Sequence, residues 1–78
     1  MPKQDHWIAT AGVHPLPVVA PSPVVAAERY AAAMDILFGH DPKPLTVTVE
    51  GRNATGRRVE MRCEVNWRGE FWEARLFG

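Results

Sequence analysis

A single cysteine, Cys63, leaves this chain no internal disulfide, and no apolar stretch approaches the ~18 residues that a membrane span needs. No basic-then-apolar leader opens the sequence, so a reducing cytoplasm is the expected location and no membrane partner is expected. Net charge is missing as well. Nine Lys and Arg balance nine Asp and Glu. That balance argues against a protein whose main business is non-specific nucleic-acid binding, which needs a clear cationic surplus. His6, His14 and His40 show no His-x-x-x-His spacing, and one cysteine cannot complete a zinc site of familiar pattern. Walker-type loops, GxGxxG and GxSxG are absent too. No catalytic residue, metal or other cofactor is expected, and the chain does not read as an enzyme.

What is present reads as one domain over residues 1–78, close to the size at which a single core barely suffices. The apolar fraction of 46% is ordinary for a folded chain and too high for a disordered one. Arg57 to Phe77 carries the strongest pattern. Val59, Met61, Cys63, Val65 and Trp67 alternate with Arg58, Glu60, Arg62, Glu64 and Asn66, the period of a half-buried strand. Arg68-Gly69 then predicts a two-residue turn into a returning strand. The register expected from that turn sets Trp67 against Glu70, Val65 against Trp72, Cys63 against Ala74 and Met61 against Leu76. A slip of one residue would drive Glu73 and Arg75 into the core. On the outer face the same register leaves Arg62 opposite Arg75 and Glu64 opposite Glu73, with only the diagonals complementary.

Ahead of this hairpin, Met1 to Asp5 is polar and expected to fray. His6 to Ala11 and Leu16 to Ala20 read as one or two short strands, with Pro17 placing the second at a sheet edge or leaving it only partly extended. Ser22-Pro23 is a helix start, a side-chain cap followed by a residue whose missing N–H costs nothing there. The helix is expected to end at Gly39, with an inward stripe of Val24, Ala27, Ala31, Met34 and Phe38 widened by Tyr30 and Leu37. Glu28, Arg29, Ala32 and Asp35 are expected to lie away from it. Leu45 to Glu50 alternates as a strand, Gly51 to Gly56 as a turn, and Val49 is expected to face Val59, Val47 to face Met61 and Glu50 to face Arg58. The fold class is therefore α+β: an alanine-rich helix on a three-strand C-terminal meander, with one or two short N-terminal strands.

Chemistry-bearing residues invite duller readings. Cys63 falls on the inner side of the long strand, where a thiol acts as a small hydrophobe. Glu60, Glu64, Glu70 and Glu73 are interleaved with arginines, as in a salt-linked surface, and Asn53-Ala54-Thr55 reads as turn chemistry. The arginines of the C-terminal sheet read either as a plainly solvated face of alternating charges or as a recognition surface. Seven of the nine cations are Arg, six of them after Glu50, and guanidinium forks with aromatics compose binding hot spots. Arg58, Arg62, Phe71, Arg75, Phe77 and Trp67 are the candidate partner-binding residues, with Phe71 and Phe77 expected to point away from the helix. A homodimer through the outer face or the last strand's edge would also cover these aromatics.

A leading strand, then Ser22-Pro23-x-x-Ala26-Ala27-x-x-Tyr30-Ala31 opening the helix, then a meander, resembles small phage and mobile-element proteins in layout over about residues 16–78. Single-helix-on-sheet anti-CRISPR proteins are among them. The resemblance implies a non-enzymatic inhibitor that sterically occludes a protein partner, here a CRISPR effector complex. The neutral charge sets the chain apart from members that mimic DNA. The alternative is a small nucleic-acid-binding module using the Arg and aromatic sheet face. The helix-then-three-strands order is similar to the first part of a double-stranded RNA-binding domain, without its final helix and basic run.

Overall fold

A computed structural model of the protein describes residues 5–52 and 56–77. The polar start before Asp5 and Asn53-Ala54-Thr55, expected as turn chemistry, lie outside them. One helix, α1 (Pro23–Phe38), packs on a five-stranded sheet built from β1 (Asp5–Thr10), β2 (Leu16–Ala20), β3 (Leu45–Arg52), β4 (Arg58–Trp67) and β5 (Trp72–Leu76). The strand order is β2-β1-β3-β4-β5, antiparallel throughout. Both N-terminal segments thus join the sheet as a hairpin, with β1 between β2 and β3 and Pro17 on an edge strand.

The helix is bounded as its residues dictate. Val25 N donates to Ser22 Oγ at 3.3 Å, Pro23 fills the first turn, and Gly39 at φ 88° stops the helix while its N–H donates to the Asp35 carbonyl. Six of the thirteen buried hydrophobic residues are alanines: Ala9, Ala20 and Ala74 on the sheet and Ala26, Ala27 and Ala31 on the helix. Small side chains on both sides let the helix lie deep in the sheet. A flat sheet of five strands would be roughly 19 Å wide at ~4.8 Å per strand, yet α1 touches all five strands, both edges included. The sheet therefore curls around the helix.

The expected inward stripe holds for Val24, Ala27, Tyr30, Ala31 and Met34 and fails in the last turn. Tyr30, Ala27 and Ala31 are buried, but Leu37 and Phe38 are exposed, because the last turn runs past the cover of the sheet. Glu28 and Asp35, expected to face away, are instead half-buried against β5. Glu28 Oε2 accepts from Ala74 N at 2.9 Å. Phe77 N donates to the Arg62 carbonyl and Arg68 N to the Phe71 carbonyl. This ladder phase leaves the Ala74 N–H pointing to the open side of β5. On the opposite edge, the guanidinium of Arg29 donates to the Val19 carbonyl of β2. Two adjacent helix residues thus reach the two ends of the sheet.

Both C-terminal registers differ from the expected ones by two residues, which keeps the paired strand residues on their expected faces. In β4–β5 Trp67 pairs with Trp72, Val65 with Ala74 and Cys63 with Leu76, and the connection is the four-residue loop Arg68–Phe71 rather than a two-residue turn. The shift sets Glu64 opposite Arg75 and Asn66 opposite Glu73, removing the like-charge pairs of the tighter turn. In β3–β4 Val47 pairs with Cys63, Val49 with Met61 and Leu45 with Val65. Val65 thereby gains a partner that Lys43, between two prolines, could not supply. The cost is Glu50 opposite Glu60 and Arg52 opposite Arg58, offset by a diagonal ion pair between Arg58 and Glu50.

At the far end, Trp7 lies over Gly51 and its Nε1 donates to the Ala20 carbonyl at 2.9 Å. A β-carbon on Gly51 would collide with Cε3 and Cζ3 of that indole. Gly51→Ala is expected to expel Trp7, costing roughly 1–3 kcal/mol as overpacking does, seen as a lower urea midpoint. Glu28→Ala is expected to uncap the edge amide of Ala74 and raise concentration-dependent self-association relative to the unaltered chain in sedimentation velocity.

Candidate functional site

Two surfaces carry the residues singled out above. The outer face of the sheet holds Arg58, Arg62, Arg75 and Phe77. All four are exposed. Cations and carboxylates alternate here: Arg58 pairs with Glu50, and Arg75 lies opposite Glu64. Ile8 and Val19, from β1 and β2, add exposed apolar area to the same face. A hollow of about 500 Å³ at its N-terminal corner is bordered by His6, Ile8, Pro17, Glu50 and Arg58.

Phe71 and Trp67 do not belong to that face. The four-residue loop carries Phe71 to the helix side, a correction to its expected outward position. There it lines a groove of about 560 Å³ with Trp67, Trp72, Ile36, Ala32 and Val25. Trp67 is half-buried and meets Trp72 edge-on, with ring centroids 5.3 Å apart. Glu28, Asp35, Glu70 and Arg29 complete the lining. The six expected residues thus divide between two surfaces.

The walls of the groove are held by a small polar network. Trp72 Nε1 donates to Asp35 Oδ2 at 2.8 Å, and His40 Nδ1 lies 2.9 Å from the same oxygen. The His40 ring packs on Trp67 at 4.4 Å. The network thereby ties the end of the helix to the β4–β5 hairpin. Partial burial pushes the Asp35 carboxyl upward. The hydrogen bonds from Trp72 and His40 and the charge of the His40 imidazolium outweigh this and hold it below its ordinary value. Cys63 is buried beneath the helix, and burial together with the charge of Glu28 pushes its thiol up, away from the reactive thiolate. Among the described residues no group of three or more His, Cys, Asp or Glu gathers to hold a metal ion, and no helix is long and apolar enough to cross a membrane.

Sequence reasoning missed the most exposed apolar residues. Ile36 is 86% exposed, Val13 82% and Phe38 63%, with Leu37 beside them. The His14 ring lies 4.9 Å from that of Phe38, bringing the β1–β2 loop to the end of the helix. Tyr30 fixes that loop, accepting from Ala11 N and donating to the His14 carbonyl. The signal was in the chain. Three successive apolar residues at 100° steps, Ile36-Leu37-Phe38, cannot all face one side of a helix.

Because Asp35 titrates lower when folded, its carboxylate stabilises the fold above the unfolded value of 3.8, and that contribution disappears as pH falls through the folded value. Asp35→Asn is expected to lower stability at neutral pH by roughly 1 kcal/mol, the scale of one charged hydrogen bond. The gap to the unaltered chain should narrow below about pH 3.8 in urea titrations. Comparison with protein-family models, curated proteins and solved structures finds no match for this chain.

Proposed function

We propose that this chain is a non-enzymatic binding protein that occludes the surface of a protein partner, and that it docks through the apolar end of its helix. One observation carries the reading. Ile36, Leu37 and Phe38 present large apolar side chains to water at the end of the helix, where Phe71 shares a groove with Ile36 and the β1–β2 loop meets Phe38 through His14. Neighbouring exposed hydrophobics of this kind mark interaction sites. The interleaved carboxylates of the outer sheet face disfavour phosphates, which supports a protein partner over the nucleic-acid module. Arg62, Arg75 and Phe77 supply a second contact surface on that face, available to a partner large enough to wrap the sheet or to a second copy.

The resemblance in layout to anti-CRISPR proteins makes a CRISPR effector complex in the host cytoplasm the first partner to test. The expected result is retention of the complex on immobilised chain and loss of its DNA targeting. Ile36→Ser and Phe38→Ser, in exposed positions that leave the helix intact by circular dichroism, should each weaken binding by about 2 kcal/mol, roughly thirtyfold in Kd. Binding unchanged in the double variant would remove the helix end from the interface. Failure to bind any effector complex would reject that partner.

A further inference from the structure

Resting on the reading of this chain as a protein binder, we infer that the groove between α1 and the β4–β5 loop receives a Lys or Arg side chain of the partner, flanked there by apolar residues. The groove combines the two features that recognise such a side chain. Its apolar surface is Ile36, Phe71 and Val25 together with the half-buried Trp67, which meets the buried Trp72 at 61°. Aromatic faces attract organic cations, and the methylene stem of Lys or Arg lies along apolar surface while its head stays polar. Around this surface stand the carboxylates of Glu28, Asp35 and Glu70 against the Arg29 guanidinium, which itself donates to the Val19 carbonyl on β2, and the His40 ring, which meets Asp35 from outside the groove lining.

The chain as a whole is neutral, so this excess of carboxylate is local and is not a by-product of an acidic protein. Asp35 is fixed by Trp72 and His40, and Glu28 by the Ala74 amide, so two of the three charges are held in place before any partner arrives. Fixed charge beside fixed aromatic surface gives selectivity at small ordering cost. A second copy is the poorer occupant. Of the arginines it could offer, Arg58, Arg62 and Arg75 lie on the opposite face of the sheet and Arg68 is held by Glu73, so self-docking through that face would be head-to-tail, giving a ring or a filament and not a two-fold dimer.

Two synthetic peptides of equal length, one repeating Leu-Arg-Leu and the other Leu-Glu-Leu, test the inference by NMR on the full chain. The arginine peptide is expected to shift the Trp67 and Trp72 indole N–H signals and the amides of Ile36 and Phe71. The glutamate peptide should leave them in place. Glu70→Lys, in an exposed loop, should weaken the arginine peptide by roughly tenfold or more, since like charges across a contact are costly, and Glu70→Gln by less. Equal shifts from both peptides, no shift from either, or shifts confined to Arg62, Arg75 and Phe77 would each overturn the inference. So would a dimer of the chain that the arginine peptide dissociates, because the groove would then hold a second copy. If Ile36→Ser abolishes capture of the effector complex while the arginine peptide leaves the groove unmoved, protein binding stands and the cation site falls. If the peptide behaves as expected and no effector complex is captured, that partner falls and the groove stands.

Discussion

Alanine against alanine at the helix–sheet interface is the constraint on which this fold depends. Ala26, Ala27 and Ala31 bring the helix axis close to the strands, and Ala9, Ala20 and Ala74 leave room for it. With so little side-chain volume between the layers, a five-stranded sheet must curve to bury its inner face. The curvature brings Glu28 within reach of one sheet edge and Arg29 within reach of the other. The larger core residues, Trp7, Tyr30 and Trp72, seal the periphery, and each uses its polar atom: Trp7 to the Ala20 carbonyl, Tyr30 to the β1–β2 loop, Trp72 to Asp35. Among the described residues no buried side-chain polar atom lacks a partner. A thin core is thus supplemented by directional contacts around its rim.

Much of this was legible in the chain, and the part that was not has a common cause. Ser22, Pro23 and Gly39 set the ends of the helix through backbone requirements that tertiary context does not override. Alternation assigned each strand of the meander its inner and outer faces. Register, however, is decided by the partner strand. A shift of two residues leaves alternation untouched, so hydrophobic pattern cannot distinguish Val65 opposite Trp72 from Val65 opposite Ala74. The like-charge pairs of the tighter register, Glu64 with Glu73 and Arg62 with Arg75, were the available warning. The helix stripe holds through Met34 and fails only at its end. A stripe drawn for a flat sheet placed Leu37 and Phe38 inside, whereas a sheet curled around the first three turns leaves the last turn uncovered.

The same displacement reorganises the recognition surface. Phe71 would lie on the outer face if Arg68-Gly69 were a two-residue turn. In the longer loop it joins Trp67 and Trp72 beside the helix. The aromatic residues and the arginines of the C-terminal hairpin therefore separate, the former mostly beside the helix with carboxylates and the latter on the outer face with glutamates. With one edge amide and one edge carbonyl occupied by helix side chains, contact through side chains on these two surfaces is favoured over extension of the sheet.

The central position of β1 has a bearing on biosynthesis. The first hairpin leaves the ribosome early, yet β1 needs β3, some forty residues later, as its second neighbour. Until β3 is made, the N-terminal hairpin is a two-stranded ribbon, a unit only marginally stable in water. Even with the helix added, Ala9 and Trp7 lack the strand that completes their cover. Nascent chains halted before Leu45 should therefore remain sensitive to protease, and the domain should become resistant only once the strands from β3 onward have emerged.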